Sequence, residues 1–224
     1  MTRFCLLVVA KAPVAGLAKT RLTPPATPRE AAAIAAAALL DTLWAVRNTP
    51  GAIPLVALTG DVAAGQEAAQ LHDLLAAMPV VSQRGASFAD RLVNAHADAA
   101  ARFPGLPVVQ IGMDTPQITA GILGDVVLRL AADPAVLSEA EDGGWWALGL
   151  RDPAHAEALR DVPMSRADTA ARTREALTRR GLRVGSGPRL TDVDTMADAL
   201  MVARGLPGSR FAAAVANATA GALG

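Results

Sequence analysis

The chain has 224 residues, and its 21 Lys plus Arg match its 21 Asp plus Glu, so the formal charge at pH 7 is zero. That balance gives no bulk electrostatic case for a nucleic acid or a membrane surface as partner, and any charge-driven binding must be local. A chain of this length can bury a full core and suits one α/β domain, expected here over residues 1–224 with the last ~20 loosely held.

Strand-like and helix-like runs alternate from end to end, the pattern of a mainly parallel sheet covered on both faces. The first is the apolar run Phe4–Ala10. It contains Cys5, the single cysteine, which excludes an internal disulfide and fits a buried, reduced thiol in a cytoplasmic protein. The opening residues lack a long apolar signal region, and no stretch approaches about 20 uninterrupted apolar residues, so a cytoplasmic chain without a membrane partner is expected. Arg29–Val46 reads as a helix with Pro28 in its first turn, filled by alanine and leucine. The alanine run Ala31–Ala38 is read as coding background, with no mechanism attached. Further strands are expected at Ile53–Leu58, Val108–Gly112, Ala135–Leu137, Trp145–Leu150 and Leu182–Val184. Helices are expected at Asp90–Ala101, Ala120–Ala131, Ala167–Arg180 and Thr195–Ala203, with Thr195 as an N-cap. The double glycine before Trp145 predicts an antiparallel excursion in the second half of the sheet. Gly205 onward is rich in glycine and alanine.

Four segments carry candidate chemistry. The first strand empties at Ala10 into a loop with Lys11, Lys19 and Arg21, three fixed positive charges in eleven residues, while Gly16 permits close approach of the backbone to an anion. Ligands of open parallel sheets sit beyond the carboxyl ends of strands, so this loop is a candidate phosphate cradle. It is neither a P-loop nor a GxGxxG dinucleotide fingerprint. Asp114 follows the strand Val108–Gly112 and points into the same crevice as a candidate metal ligand; a turn or cap role before Pro116 is the alternative. Asp192 and Asp194 stand two apart in an extended segment and could share a cation. Mg²⁺ binds through one or two carboxylates plus nucleotide phosphates, as Asp114 and Asp194 would supply, whereas Asp194 could instead complement the start of the last helix. In Glu141-Asp142-Gly143-Gly144-Trp145-Trp146, acids and flexible glycines precede two flat rings, suited to a base or sugar or equally to a turn and a core strand.

Other side chains are weaker candidates. His72, His96 and His155 form no metal-ligand spacing, and Ser87 and Ser165 lie in no hydrolase pattern. Arg84 or Arg91 could reach a substrate, or could sit on a solvated helix start.

Taken together, Ala10–Leu22 (AKxPxxGxxKTRL), Gly112–Pro116 (GxDxP), Glu141–Trp146 (EDGG and two aromatics) and Asp192–Thr195 (DVDT) resemble the motifs of an uncharacterised bacterial family placed with the nucleotide-diphospho-sugar transferases. The resemblance covers the chain to about Ala203 and implies a three-layer glycosyltransferase-A-like, Rossmann-like fold: a mixed, mainly parallel sheet with helices on both faces. The layout is also similar to small nucleotidyltransferases such as molybdopterin and phospholactate guanylyltransferases. That resemblance implies that Lys19 and Arg21 bind phosphate and that Asp114 and Asp194 bind Mg²⁺ (or Mn²⁺). The chain differs from those enzymes in lacking the first-loop LxGGxGxR glycines. It differs from many glycosyltransferases in lacking DxD, with Met113 before Asp114 and Pro116 in the second acidic place.

The expectation is therefore a metal-dependent transferase with nucleotide and small-molecule partners. The leading form is nucleotidyl transfer from an NTP to a small phosphorylated or phosphonate-like acceptor. Lys19 and Arg21 would neutralise the leaving group, Ala10, Lys11, Gly16 and Asp114 would adjoin the nucleotide, and Glu141, Asp142, Gly143, Gly144, Trp145 and Arg91 would face the acceptor. The alternatives are glycosyl transfer from an NDP-sugar, with Asp142 or Glu141 as base, and a non-catalytic nucleotide-binding protein.

Overall fold

The computed structural model describes residues 3–221. Its centre is one seven-stranded sheet: β1 (Phe4–Lys11), β2 (Ala52–Thr59), β3 (Val80–Ser82), β4 (Val108–Ile111), β5 (Ala135–Glu139), β6 (Trp145–Leu150) and β7 (Val184–Ser186), in the order β3-β2-β1-β4-β6-β5-β7. β1 pairs in parallel with β2 and β4, and every residue from Phe4 to Ala10 is buried. A strand covered on both faces needs apolar side chains throughout, which is why FCLLVVA shows no alternation. β6 alone runs antiparallel, between β4 and β5. This is the predicted excursion, and the three-layer mixed architecture is the one expected.

The helices are α1 (Pro28–Arg47), α2 (Ala68–Ala76), α3 (Phe88–Arg102), α4 (Ala120–Ala132), α5 (Thr169–Arg179), α6 (Met196–Arg204) and α7 (Arg210–Gly221), with 3₁₀ turns at Thr20–Leu22, Val62–Ala64 and Pro153–Leu159. One core lies between the sheet and α1, α2 and α4, where Leu39, Leu43, Leu71, Leu123 and Val126 meet Leu6 and Val8. A second lies under α3, α5 and the Pro153–Leu159 turn, with Leu92, Leu159 and Leu177 against Cys5, Leu7 and Leu148. Capping boxes start α1 (Thr27 with Glu30), α3 (Ser87 with Asp90) and α6 (Thr195 with Asp198), satisfying donors that each helix leaves open.

The alanines of α1 have a packing reason that composition hides. Ala35 and Ala36 face the sheet, while Ala31, Ile34 and Ala38 face a third core with Ala199, Phe211 and Val215 of α6 and α7. A helix held between two layers needs small side chains on both sides. The region after Gly205 is accordingly not a loose tail: α7 buries Phe211, and Asp41 of α1 accepts from the Phe211 N–H at 3.0 Å. Residues 222–224 lie outside the described residues. Composition also conceals α2 and the edge strand β3, because each buries too few side chains to show a period: α2 buries Leu71 and Leu75 only.

The two tryptophans point to opposite faces, and alternation breaks just after them, where Trp146 and Ala147 enter the same core. The β5–β6 register shifts between Ser138 and Glu139, so that Ser138 pairs with Ala147 and Glu139 with Trp145. Trp146 is thus the extra residue of a bulge. It joins the core under α1, donating its indole N–H to Pro188 O at 2.9 Å, while Trp145 packs toward α5 and donates to Thr173 Oγ1 at 3.1 Å.

Gly143 fixes the turn before β6. Its φ is +86°, and a β-carbon there would collide with the carbonyl of Ala167, whose neighbour Ala170 donates its N–H to Gly143 O at 2.9 Å. Gly143→Ala is expected to cost on the order of 3 kcal/mol, from left-handed strain plus overpacking. Gly144→Ala, at an unstrained φ, should cost far less. Urea unfolding midpoints of the two variants check this, and equal midpoints would refute it.

Candidate functional site

A cleft of about 670 Å³ opens at the carboxyl ends of β1 and β4, the point where the sheet order reverses direction. The loop after β1 enters it from one side. Lys19 has φ 47° and ψ 43°, a left-handed conformation rare outside glycine, as it leads into the Thr20–Leu22 turn. Its ammonium lies 2.8 Å from Asp114 Oδ2 and 3.0 Å from Asp194 Oδ1, and its side chain is only 10% exposed. Arg21 reaches the second oxygen of Asp194 at 3.0 Å from the rim. The strand ends are tied together: the Val193 N–H, just before α6, donates to the backbone O of Asp114 at 2.9 Å, and the Lys11 N–H at the end of β1 donates to Met113 Sδ at 3.1 Å.

Electrostatics follow from this packing. Burial disfavours the charge on Lys19, yet Asp114 and Asp194 outweigh it and hold the ammonium above the ordinary lysine value. Burial likewise opposes ionisation of Asp194, but Lys19 and Arg21 bring it below the usual carboxylate range. Asp192 is different. Burial raises it to about 6, against a 2.7 Å hydrogen bond donated by Thr115, and the negative Asp114 and Asp142 push the same way.

Of the expected site residues, Ala10, Lys11, Lys19, Arg21, Arg91, Asp114, Asp142, Gly144, Trp145, Asp192 and Asp194 all line this cleft. Three do not. Gly16 serves the turn with φ +76°, Glu141 turns to Arg189 at 3.5 Å, and Gly143 is held by its packing on Ala167. Lys11 ends β1 at the cleft, but its ammonium donates to Leu17 O at 2.7 Å. Asp192 and Asp194 face the cleft together, Asp192 accepting from Thr115 and Asp194 paired with Lys19 and Arg21. Asp142 Oδ1 accepts the Gly144 N–H at 2.8 Å, so the turn reading holds there as well. Arg84 lies away from the cleft, paired with Asp98.

The donor set fits a hard divalent cation. Asp114 and Asp194 both approach one positive nitrogen, and two carboxylates are the usual protein share for Mg²⁺, the rest coming from phosphates and water. Among the described residues no three His, Cys, Asp or Glu side chains are placed to hold a metal alone.

A profile of the family described as uncharacterized proteins conserved in bacteria, DUF2064, matches residues 42–166. The chain belongs to this family. No curated protein matches it in sequence. In structure, this DUF2064 member is similar to a protein from Desulfovibrio desulfuricans G20 described as a candidate nucleotide-diphospho-sugar transferase. The TM-score is 0.85 at 23% identity, over 98% of this chain and 96% of that one. It is also similar to a CMP:2-keto-3-deoxy-manno-octonic acid synthetase complexed with CTP, with TM-score 0.55 and 13% identity over 91% and 100% of the two chains. A third likeness is to Rv0371C of Mycobacterium tuberculosis H37Rv in complex with manganese, with TM-score 0.51 and 16% identity over 90% and 98%. At these identities the likeness is one of fold. No helix among the described residues of this DUF2064 member is long and apolar enough to cross a membrane.

Sequence reasoning missed several cleft residues. Gln83, Phe88, Gln110, Met164, Ser165 and Arg166 line it as well. Ser165 has φ 59°, a second strained non-glycine residue at the site. The available signal was positional: Gln110 is a polar residue inside an otherwise apolar buried strand, VVQI.

Behind the cleft, His96 of α3 is fully buried, its Nε2 bonded to Gln110 Oε1 at 3.0 Å and its Nδ1 without a partner. Burial lowers its pKa from 6.5 to about 4, only partly offset by Gln110. Above pH 6.5 folded and unfolded chains both carry a neutral ring. As pH falls below that value the unfolded chain takes up a proton that the folded chain refuses, and stability drops until about pH 4. Between about pH 7.5 and about pH 5 the wild type should lose about 2 kcal/mol more than His96→Gln. Urea denaturation of both proteins at both pH values measures the difference, and equal losses would refute it.

Proposed function

We propose that the protein is a cytoplasmic, Mg²⁺- or Mn²⁺-dependent nucleotidyltransferase acting from an NTP on a small phosphorylated or phosphonate-like acceptor. The observation that carries this reading is the Lys19 ammonium held between Asp114 and Asp194, with Arg21 on Asp194, at the carboxyl edge of β1 and β4. The likeness in fold to a CTP complex and to a manganese complex supports it.

Asp114 and Asp194 would hold the metal, which when bound neutralises phosphate charge. Lys19 and Arg21 would then face the departing pyrophosphate. An oxygen of the acceptor attacks the α-phosphorus and the bond to pyrophosphate breaks. Because that acceptor is already anionic, no general base is required, and positioning with charge neutralisation carries the rate. The strained backbone at Lys19 fixes where its ammonium stands before the nucleotide arrives. Asp142, across the cleft, would orient the acceptor. Asp142→Asn should therefore cut turnover while nucleotide affinity changes little; wild-type turnover would reduce the segment to a turn and a core strand.

Glycosyl transfer from an NDP-sugar is the second reading, favoured by the likeness to the Desulfovibrio protein. A thermal-shift panel of NTPs and NDP-sugars, with and without Mg²⁺, followed by product assays, separates the possibilities. Ligand at about 100 times its dissociation constant should add about 2.7 kcal/mol. Release of pyrophosphate supports nucleotidyl transfer, and release of NDP supports glycosyl transfer. Protection without either product would mean a binding protein.

A further inference from the structure

Gln110 is the one polar side chain of β4, and it stands at the switch point of the sheet, paired with Leu7 of β1 on one side and Leu148 of β6 on the other. It is 3% exposed, and what exposure it has opens on the cleft. Its Oε1 accepts from His96 Nε2 at 3.0 Å, and its amide nitrogen has no partner among the described residues. The opposite orientation would need His96 protonated on Nδ1, leaving a fully buried N–H without an acceptor. A bare ring lone pair is the cheaper vacancy, so the carbonyl of Gln110 faces His96 and its NH₂ faces the cleft. Two residues on, Gly112 lines the same cleft.

That NH₂ stands open to the cleft as a donor that no described side chain or carbonyl engages, so a ligand entering the cleft can accept from it. The cations that suit phosphate, Lys19 and Arg21, belong to the loop after β1. Among its other lining residues, the cleft presents Val9, Phe88, Leu92 and Trp145, apolar and aromatic surfaces that suit a flat ring. We propose that Gln110 determines nucleotide specificity, donating its amide N–H to a carbonyl oxygen or ring nitrogen of the base, and that His96 is the positioning residue that holds this amide. The assignment rests on the nucleotide reading above.

The test compares wild type with Gln110→Met, Gln110→Glu, His96→Phe and His96→Gln, each checked for cooperative melting. Calorimetric titration with ATP, GTP, CTP, UTP and inorganic tripolyphosphate in MgCl₂ reads the outcome. Wild type should prefer one of the four nucleotides. Gln110→Met should lower that affinity about 3- to 10-fold and level the preference, with tripolyphosphate binding unchanged. Gln110→Glu, which replaces the donor by an acceptor, should alter the order of preference and keeps the proposal testable should the methionine variant not fold. His96→Phe should act like Gln110→Met, and His96→Gln, which restores an N–H donor, should recover selectivity. Unchanged selectivity in both Gln110 variants, or an equal loss for tripolyphosphate, overturns the assignment alone. A wild type that binds tripolyphosphate but none of the four nucleotides overturns the nucleotide reading with it.

Discussion

Replacing Asp114 by alanine should abolish Mg²⁺-dependent nucleotide binding and leave the fold standing. The fold survives because the strand end is anchored through the backbone of Asp114, whose carbonyl accepts from Val193, and because its side chain is 40% exposed. Lys19 keeps Asp194 as a partner, so no buried charge is orphaned. Binding suffers because the metal would lose one of two protein ligands. Loss of an outer-shell partner already costs roughly 10- to 100-fold in metal affinity, so loss of a direct ligand should exceed about 100-fold. Asp194→Ala should behave alike toward the metal and also free Arg21. Isothermal titration of nucleotide with and without MgCl₂, beside thermal melts, measures both effects. Unchanged affinity and unchanged metal dependence in the two variants would remove both aspartates from the site.

Lys19→Ala combined with Arg21→Ala should weaken a triphosphate far more than the matching monophosphate. Charge-assisted contacts to phosphate oxygens contribute about 1.5–3 kcal/mol each, about 10- to 100-fold in affinity, and a monophosphate makes fewer of them. Lys19 should account for most of the loss, since its side chain is 10% exposed and that of Arg21 is 70% exposed and screened by water. Without the two cations, Asp114 and Asp194 face each other uncompensated. Mg²⁺ alone should then raise the melting temperature of the double variant more than that of the wild type. Titration of ATP and AMP, with melts in MgCl₂ and in EDTA, reads all three quantities. Equal losses for ATP and AMP would make the loop a structural feature.

Legibility in the sequence followed burial and period. β1 shows as an unbroken apolar run because both its faces are covered, and α1 shows through Pro28 in its first turn and the alanine and leucine that fill it. α7 was obscured because its alanines resemble a tail until Phe211 is seen to enter the core. At the site, Asp114 and Asp194 were visible as carboxylates just beyond a strand and just before a helix. Glu141, adjacent in sequence to Asp142, turns away from the cleft because one residue along a tight turn changes which way a side chain points, and Gly143 is packed against Ala167.

The sequence by itself determined the alternating α/β order, the helix caps, and the basic loop that follows an apolar strand, since these depend on neighbours within a few residues. Tertiary structure alone decided that Lys19 meets Asp114 and Asp194, the latter 175 residues away, and that Gln110 opens on the cleft with His96 behind it. Local propensity carries no information about which distant carboxylate a lysine will find. Only the closing of the sheet, driven by burial of apolar area that is indifferent to the identity of any one charge, brings them together.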